Sequence, residues 1–119
     1  APVDSLGVIN LDALKKIVDE NRDDIALIAV MHSNNEVGTI QPIADVVKIA
    51  ENIPVHTDAV QSFGKIIFDF VALGVTSATI SAHKLGGPLG VAALAARGAD
   101  STAQARRVID HASVTCGFG

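Results

Sequence analysis

Three polar clusters in this sequence carry the residues that could do chemistry, and the cluster around Lys84 suggests covalent catalysis. Lys84 stands between the β-prone run Ala78-Thr79-Ile80 and the turn Gly86-Gly87-Pro88. A lysine held where a strand leaves the core can be desolvated, which lowers its pKa and makes the amine able to form a Schiff base with a carbonyl group. The alternative is an ordinary surface lysine on a turn, and this stretch alone does not decide between the two.

A second cluster begins at Asp58, a carboxylate set in apolar sequence between Val55-His56-Thr57 and Ala59-Val60. A buried carboxylate is costly unless it meets a positive charge or hydrogen-bond donors. A protonated pyridine nitrogen would be a suitable partner, because a ring that holds this proton withdraws electrons. The alternative is that Asp58 caps the segment 59–63.

The remaining polar residues could bind the other groups of such a ring. The stretch Asn34-Asn35-Glu36-Val37-Gly38 has the composition of a turn, but one of its amides could donate to a phenolate oxygen, as could Gln61. Ser81 and His83, which flank the lysine, could donate to a phosphate. His32 and His56 are more typical of packed or half-exposed histidines than of ligands. No histidine pair has the spacing of a metal site, and no GxGxxG or P-loop motif occurs.

The elements between these clusters predict an α/β fold with a mainly parallel sheet flanked by helices. We expect a helix that starts at Asn10 and ends near Asn21, and a second helix that starts at Pro42. The continuous apolar run 25–31 is typical of a parallel strand buried on both faces, and further strands are predicted at 54–57, 75–81 and 90–96. The three polar clusters each follow a strand, so we expect them to converge on one rim of the sheet.

Composition and charge argue against a nucleic-acid-binding protein and against a membrane-spanning one. The chain has 119 residues and a formal charge of −4, which argues against nucleic acid as the main partner. No run approaches the roughly 18 apolar residues of a membrane span. The lone Cys116 weakly favours a reducing compartment, so we expect a soluble, cytoplasmic protein. Charged residues make up only 18% of the chain, which suggests a piece of a larger protein with faces that other segments cover.

Taken together, the three clusters resemble the motifs of the cysteine desulfurase family, pyridoxal-phosphate enzymes of the class V aminotransferase group. The resemblance runs from about Leu6 to Arg97. It implies that 1–97 is a central part of the cofactor-binding large domain, in a protein that is a homodimer when complete. We assign the tail 98–119 no role, although 104–110 has a helical pattern. The motifs, in chain order, are His32-Ser33-Asn34-Asn35-Glu36-Val37-Gly38-Thr39-Ile40-Gln41-Pro42, His56-Thr57-Asp58-Ala59-Val60-Gln61-Ser62-Phe63-Gly64-Lys65 and Ser81-Ala82-His83-Lys84-Leu85-Gly86-Gly87-Pro88.

The resemblance also implies a role for each site residue. Lys84 would form the Schiff base with pyridoxal phosphate, and Asp58 would pair with the pyridine nitrogen. Asn35 and Gln61 would lie against the phenolic oxygen. Ser81 and His83 would contact the phosphate, and we count Lys84 and His83 as the candidate catalytic residues.

The family's reaction removes sulfur from L-cysteine to leave L-alanine and passes the sulfur, as a persulfide on an enzyme cysteine, to an acceptor protein. That sulfur serves iron-sulfur cluster or thio-cofactor assembly. In the family, a glycine-rich phosphate loop and a ring-stacking histidine lie upstream of these motifs, and the persulfide cysteine and a substrate-binding arginine lie well downstream. Cys116 lacks the family's surrounding pattern, so we do not give it the persulfide role.

Two alternatives stay open. Within the same fold, the chain could belong to a selenocysteine lyase or another class V enzyme, because the Asn35 motif does not separate these activities. From a different class, the chain by itself could be a non-catalytic fragment that associates through exposed apolar faces. We expect this fragment to be inactive on its own.

Overall fold

Four strands form one sheet in a computed structural model of the chain, which describes residues 1–98. The sheet order is β1 (Ile28–Met31), β2 (Val55–Asp58), β3 (Ser77–Ser81) and β4 (Ala92–Ala96). The first three strands are parallel, and β4 runs antiparallel to β3. The predicted fold class, a mainly parallel sheet with helices packed against it, is confirmed.

Two helices connect to the sheet in the places that the sequence predicted. Helix α1 (Leu11–Asn21) begins at Asn10, whose side-chain oxygen accepts a hydrogen bond from the Ala13 amide at 2.9 Å. This bond satisfies one of the unpaired amides of the first turn. Helix α2 (Ile43–Ala50) begins directly after Pro42.

The core lies between these helices and one face of the sheet. Apolar side chains recur on one side of α1 and of α2, as expected for helices that pack on a sheet. They meet the apolar side chains of β1 and β2. The buried cluster contains Leu14, Val18, Ile28, Ile43, Val46, Ala50, Ile53, Val55 and Val75.

The predicted strand at 25–31 was too long at its start. Residues Arg22–Asp24 form a short 3-10 helix, and the chain joins the sheet only at Ile28, whose amide donates to the Pro54 carbonyl at 2.9 Å. Ile25 packs against the core without being part of the strand. Only the second half of the apolar run is in the sheet, and the prediction of a strand buried on both faces was wrong for residues 1–98, because Ile28 is buried while Ala29 and Met31 on the other face are exposed. The other strands differ from their predicted bounds by one or two residues.

A third helix, α3 (Phe70–Leu73), has no counterpart among the sequence predictions. One side-chain oxygen of Asp69 accepts hydrogen bonds from the amides of Val71 and Ala72, both at 2.9 Å, and Gly74 ends the helix with a positive φ of 75°. A helix of four residues is too short to show a hydrophobic period, so only its capping residues could have indicated it.

Arg97, near the end of the described residues, packs against α3. Its guanidinium lies 5.0 Å from the centre of the Phe70 ring and donates to the carbonyls of Phe70 and Val71. The helical pattern at 104–110 and Cys116 lie outside the described residues. Within residues 1–98, no helix is long and apolar enough to cross a membrane.

Candidate functional site

The structure brings the three polar clusters to one edge of the sheet. Strands β1, β2 and β3 are parallel, so their carboxyl ends share an edge, and Met31 pairs with Asp58, which in turn pairs with Thr79. We call the residues that follow these ends the polar rim: 32–38, 58–61 and 81–84. Ligands of open α/β sheets bind at this edge.

Asp58 is the last residue of β2 and is half-buried. One of its carboxylate oxygens accepts a hydrogen bond from the Val60 amide at 2.9 Å, so the capping role left open by the sequence is present in part. The second oxygen has no hydrogen-bond donor among residues 1–98. Asp58 therefore has one oxygen that fixes its orientation and one that is available to a ligand.

Asn35 and Gln61 line the same groove, although they belong to different clusters. Asn34 holds its turn together, because its side-chain oxygen accepts from the amides of Glu36 and Val37 at 2.8 and 3.3 Å. That turn presents Asn35, which is exposed, beside the half-buried Gln61. The groove has a volume of about 300 Å³, and Lys65 also lines it. Asp58, Ser81, His83 and Lys84 do not line this groove.

The third cluster lies on a 3-10 helix, Ala82–Leu85, which continues directly from β3. The hydroxyl of Ser81 lies 2.6 Å from Nδ1 of His83, so these two side chains are held together. Lys84 is exposed. Of the two possibilities that the sequence left open, a desolvated lysine or a surface lysine on a turn, residues 1–98 show the second, because they leave the Lys84 side chain in solvent.

His32 and His56 are both buried, which confirms that they are packed. His32 meets the ring of Phe68 edge-on at a centroid distance of 5.1 Å, and burial lowers the pKa of His32. Burial also lowers the pKa of His56, while the negative charge of Asp58 acts in the opposite direction. Both imidazoles are therefore biased toward the neutral form.

Comparison with known proteins decides the family. The family model described as "Aminotransferase class-V" matches residues 1–107. The chain belongs to the class V aminotransferase family.

Curated relatives of this class V chain carry the name cysteine desulfurase. An IscS-like cysteine desulfurase from Mycobacterium tuberculosis is 43% identical over 98 residues, which cover 81% of this chain and 25% of the relative. Cysteine desulfurase IscS from Dictyoglomus turgidum is 50% identical over 95 residues, covering 78% of this chain and 23% of the relative. The chain thus spans about a quarter of the length of these relatives.

Solved structures give the same result for the fold. A NifS-like protein superposes with a TM-score of 0.75 at 48% identity, over 82% of this chain and 27% of the other. A structure described as SspA in complex with cysteine superposes with a TM-score of 0.74 at 37% identity, over 82% and 28%. The class V fold therefore accounts for the architecture of residues 1–98.

Sequence reasoning missed one contact within this class V rim. Gly64 has a φ of +78°, and a Cβ atom added there would overlap Cδ2 of Leu85, the residue after Lys84. The absence of a side chain at Gly64 thus lets the 3-10 helix with Lys84 pack against the turn that follows Gln61. The positive φ is a turn signal that a sequence can suggest, but the contact with Leu85 joins residues far apart in the chain.

Proposed function

We propose that this chain supplies the pyridoxal-phosphate rim of a cysteine desulfurase, which removes sulfur from L-cysteine and leaves L-alanine. One observation carries the proposal: the carboxyl ends of three parallel strands bring a lysine, a carboxylate and two amides to one edge of the sheet. The names of the curated relatives support this choice of reaction, and the cysteine in the complex of the related SspA supports the choice of substrate.

The donors of the polar rim fit the groups of pyridoxal phosphate. The free oxygen of Asp58 suits a protonated ring nitrogen, since opposite charge strengthens such a hydrogen bond. The amides of Asn35 and Gln61, which share a groove, suit the phenolic oxygen. The paired side chains of Ser81 and His83 suit the phosphate.

When bound, the cofactor supplies an electron-withdrawing ring that eases loss of a proton from the substrate's Cα. Lys84 would hold the cofactor through its Nζ atom, and the same amine, once free, would be the group that accepts and returns the proton at that Cα. Asp58 keeps the ring nitrogen protonated. His83 orients the phosphate, held in turn by the Ser81 hydroxyl.

On this proposal the complete activity needs a longer protein, since the chain spans about a quarter of the length of the cysteine desulfurases that it matches. We propose that a cysteine downstream of the rim takes the sulfur as a persulfide and that a sulfur-acceptor protein receives it. We also propose a homodimer when complete and a cytoplasmic location, the latter because a chain with a single cysteine suits a reducing compartment. This chain alone is inactive on this account.

Exposed apolar side chains favour a second candidate, a non-catalytic fragment that associates with other chains. Large apolar side chains are exposed among residues 1–98, including Ile67 at 95% and Leu89 at 86%, as expected of faces that another chain or segment would cover. Size-exclusion chromatography tests this candidate, because a fragment of this kind elutes as an associated species rather than as a well-behaved monomer.

Titration with pyridoxal phosphate, followed by the absorption of the imine, tests the function. We expect saturable imine formation in the unmodified chain and its loss in Lys84→Ala, because no other lysine lies on the polar rim. Lys48→Ala is the matched control, since Lys48 is an exposed lysine on α2, outside the polar rim and its groove, and should be dispensable. Imine formation that persists in Lys84→Ala would contradict the assignment of Lys84.

A further inference from the structure

The side chain of His56 links β2 to β3 on the sheet face that carries Asp58. Its Nδ1 lies 2.9 Å from the hydroxyl of Ser77, and its Nε2 lies 3.2 Å from the hydroxyl of Thr79. His56 is 8% exposed and Ser77 is 1% exposed. A hydroxyl can either donate or accept, so a neutral imidazole is fully hydrogen-bonded here in either tautomer.

Strand register places this link next to the carboxylate. His56 and Asp58 are two residues apart on β2, so their side chains point to the same face. His56 pairs with Ser77, and Asp58 pairs with Thr79. The bond from Nε2 to Thr79 therefore runs diagonally to the residue directly opposite Asp58, and it holds β2 to β3 where the carboxylate leaves the sheet.

The charge of His56 matters as much as its position. Burial favours the neutral imidazole, although the Asp58 carboxylate partly opposes this effect. The ion pairs within residues 1–98 join Lys15, Lys16, Arg22 and Lys48 to acids other than Asp58. A neutral His56 forms no ion pair with Asp58, so the Asp58 carboxylate stays available to a ligand.

We propose that His56 is a positioning residue that holds the Asp58 carboxylate toward a protonated ring nitrogen without neutralising it. The inference rests on the proposed function, because it takes the ring nitrogen of pyridoxal phosphate as the group that Asp58 binds. His56 touches neither cofactor nor substrate in this account. It acts through the Thr79 hydroxyl and the pairing of the two strands.

Two ligands isolate the effect on the ring nitrogen. Pyridoxal phosphate and its analogue with a CH group in place of that nitrogen differ only where Asp58 would bind. The unmodified 119-residue chain should bind pyridoxal phosphate about tenfold more tightly than the analogue, the selectivity expected from one hydrogen bond to a charged group. Equilibrium dialysis of both ligands measures this ratio.

Two amide substitutions at His56 test its two hydrogen bonds one at a time. In His56→Gln the amide reaches the position of Nε2, so the bond to Thr79 is kept and the ratio should stay within about twofold of its original value. In His56→Asn the amide reaches only the position of Nδ1 and Ser77, and the ratio should fall by about threefold or more. Circular dichroism before each titration verifies that the variants are folded.

A third variant tests whether the effect passes through the carboxylate. In an Asp58→Asn background, exchanging His56 for Asn should leave the ratio unchanged, because the charge that His56 positions is gone. Equal weakening of both ligands in His56→Asn would overturn the inference and leave a structural role only. An unmodified chain that binds both ligands equally, or neither, would instead refute the proposed function and the inference with it.

Discussion

The buried histidines make this chain sensitive to mild acid. His32 and His56 have pKa values that burial lowers from the ordinary value of 6.5. The unfolded chain therefore binds more protons than the folded chain once the pH falls below about 6.5, so the free energy of unfolding decreases as the pH falls through that range. Carboxylates do not obscure this effect, because they titrate at lower pH when unfolded.

We predict that the free energy of unfolding is constant above about pH 7.5 and falls from about pH 6.5 toward pH 5, by roughly 1 kcal/mol for each pKa unit of depression. Urea unfolding at a series of pH values measures it. Replacing His32 with Leu and His56 with Gln in one chain removes both groups, and the curve of that variant should be flat over this range. A sloping curve in the double variant would show that other groups cause the effect.

At the scale of elements, the turn after β2 and the 3-10 helix after β3 depend on each other through one glycine. Leu85 packs where a side chain at Gly64 would stand, and Leu85 follows Lys84 directly. Gly90 has nearly the same backbone, with φ of +80° against +78°, but a Cβ there would meet nothing within 4 Å. Replacing either glycine by alanine therefore strains the backbone to a similar extent, but only at Gly64 would the new side chain meet another residue.

Gly64→Ala should therefore lower the free energy of unfolding more than Gly90→Ala does. Each variant costs about 1 kcal/mol for its backbone, and the overlap with Leu85 adds about 1 kcal/mol more. Adding Leu85→Ala to Gly64→Ala removes the overlap, so the extra loss should vanish in that pair. Urea unfolding of the set tests this, and equal losses in Gly64→Ala and Gly90→Ala would show that the contact contributes nothing.

The two long helices could be predicted from the sequence, because their caps and apolar spacing involve only neighbouring residues. The cap at Asn10 and the apolar spacing of α1 and α2 each act within a few residues, and the structure has both helices in place. The start of β1 depends on the hydrogen bond from Ile28 to Pro54, a partner distant in sequence. The extent of a strand follows from its partner's position, which a single run of apolar residues does not contain.

At the scale of the whole molecule, the sequence predicted where the polar rim lies in the fold. It did not predict which contacts and which exposure its side chains have. Alternating elements imply parallel strands, and parallel strands bring their carboxyl ends together, so the convergence of Asn35, Asp58 and Lys84 followed from the order of elements. The exposure of Lys84 did not follow, because burial depends on which segments cover the rim. The hydroxyl partners of His56 also required the register of β2 and β3.

The central claim is that this rim binds pyridoxal phosphate through Lys84, and lysine mapping tests it most directly. The purified chain is mixed with pyridoxal phosphate, the imine is reduced with borohydride to a stable secondary amine, and the modified lysines are identified by mass spectrometry. Our account predicts selective labelling of Lys84. Labelling spread over Lys15, Lys48 and Lys65, or no labelling, would contradict it and show that the chain keeps the motifs without a working site.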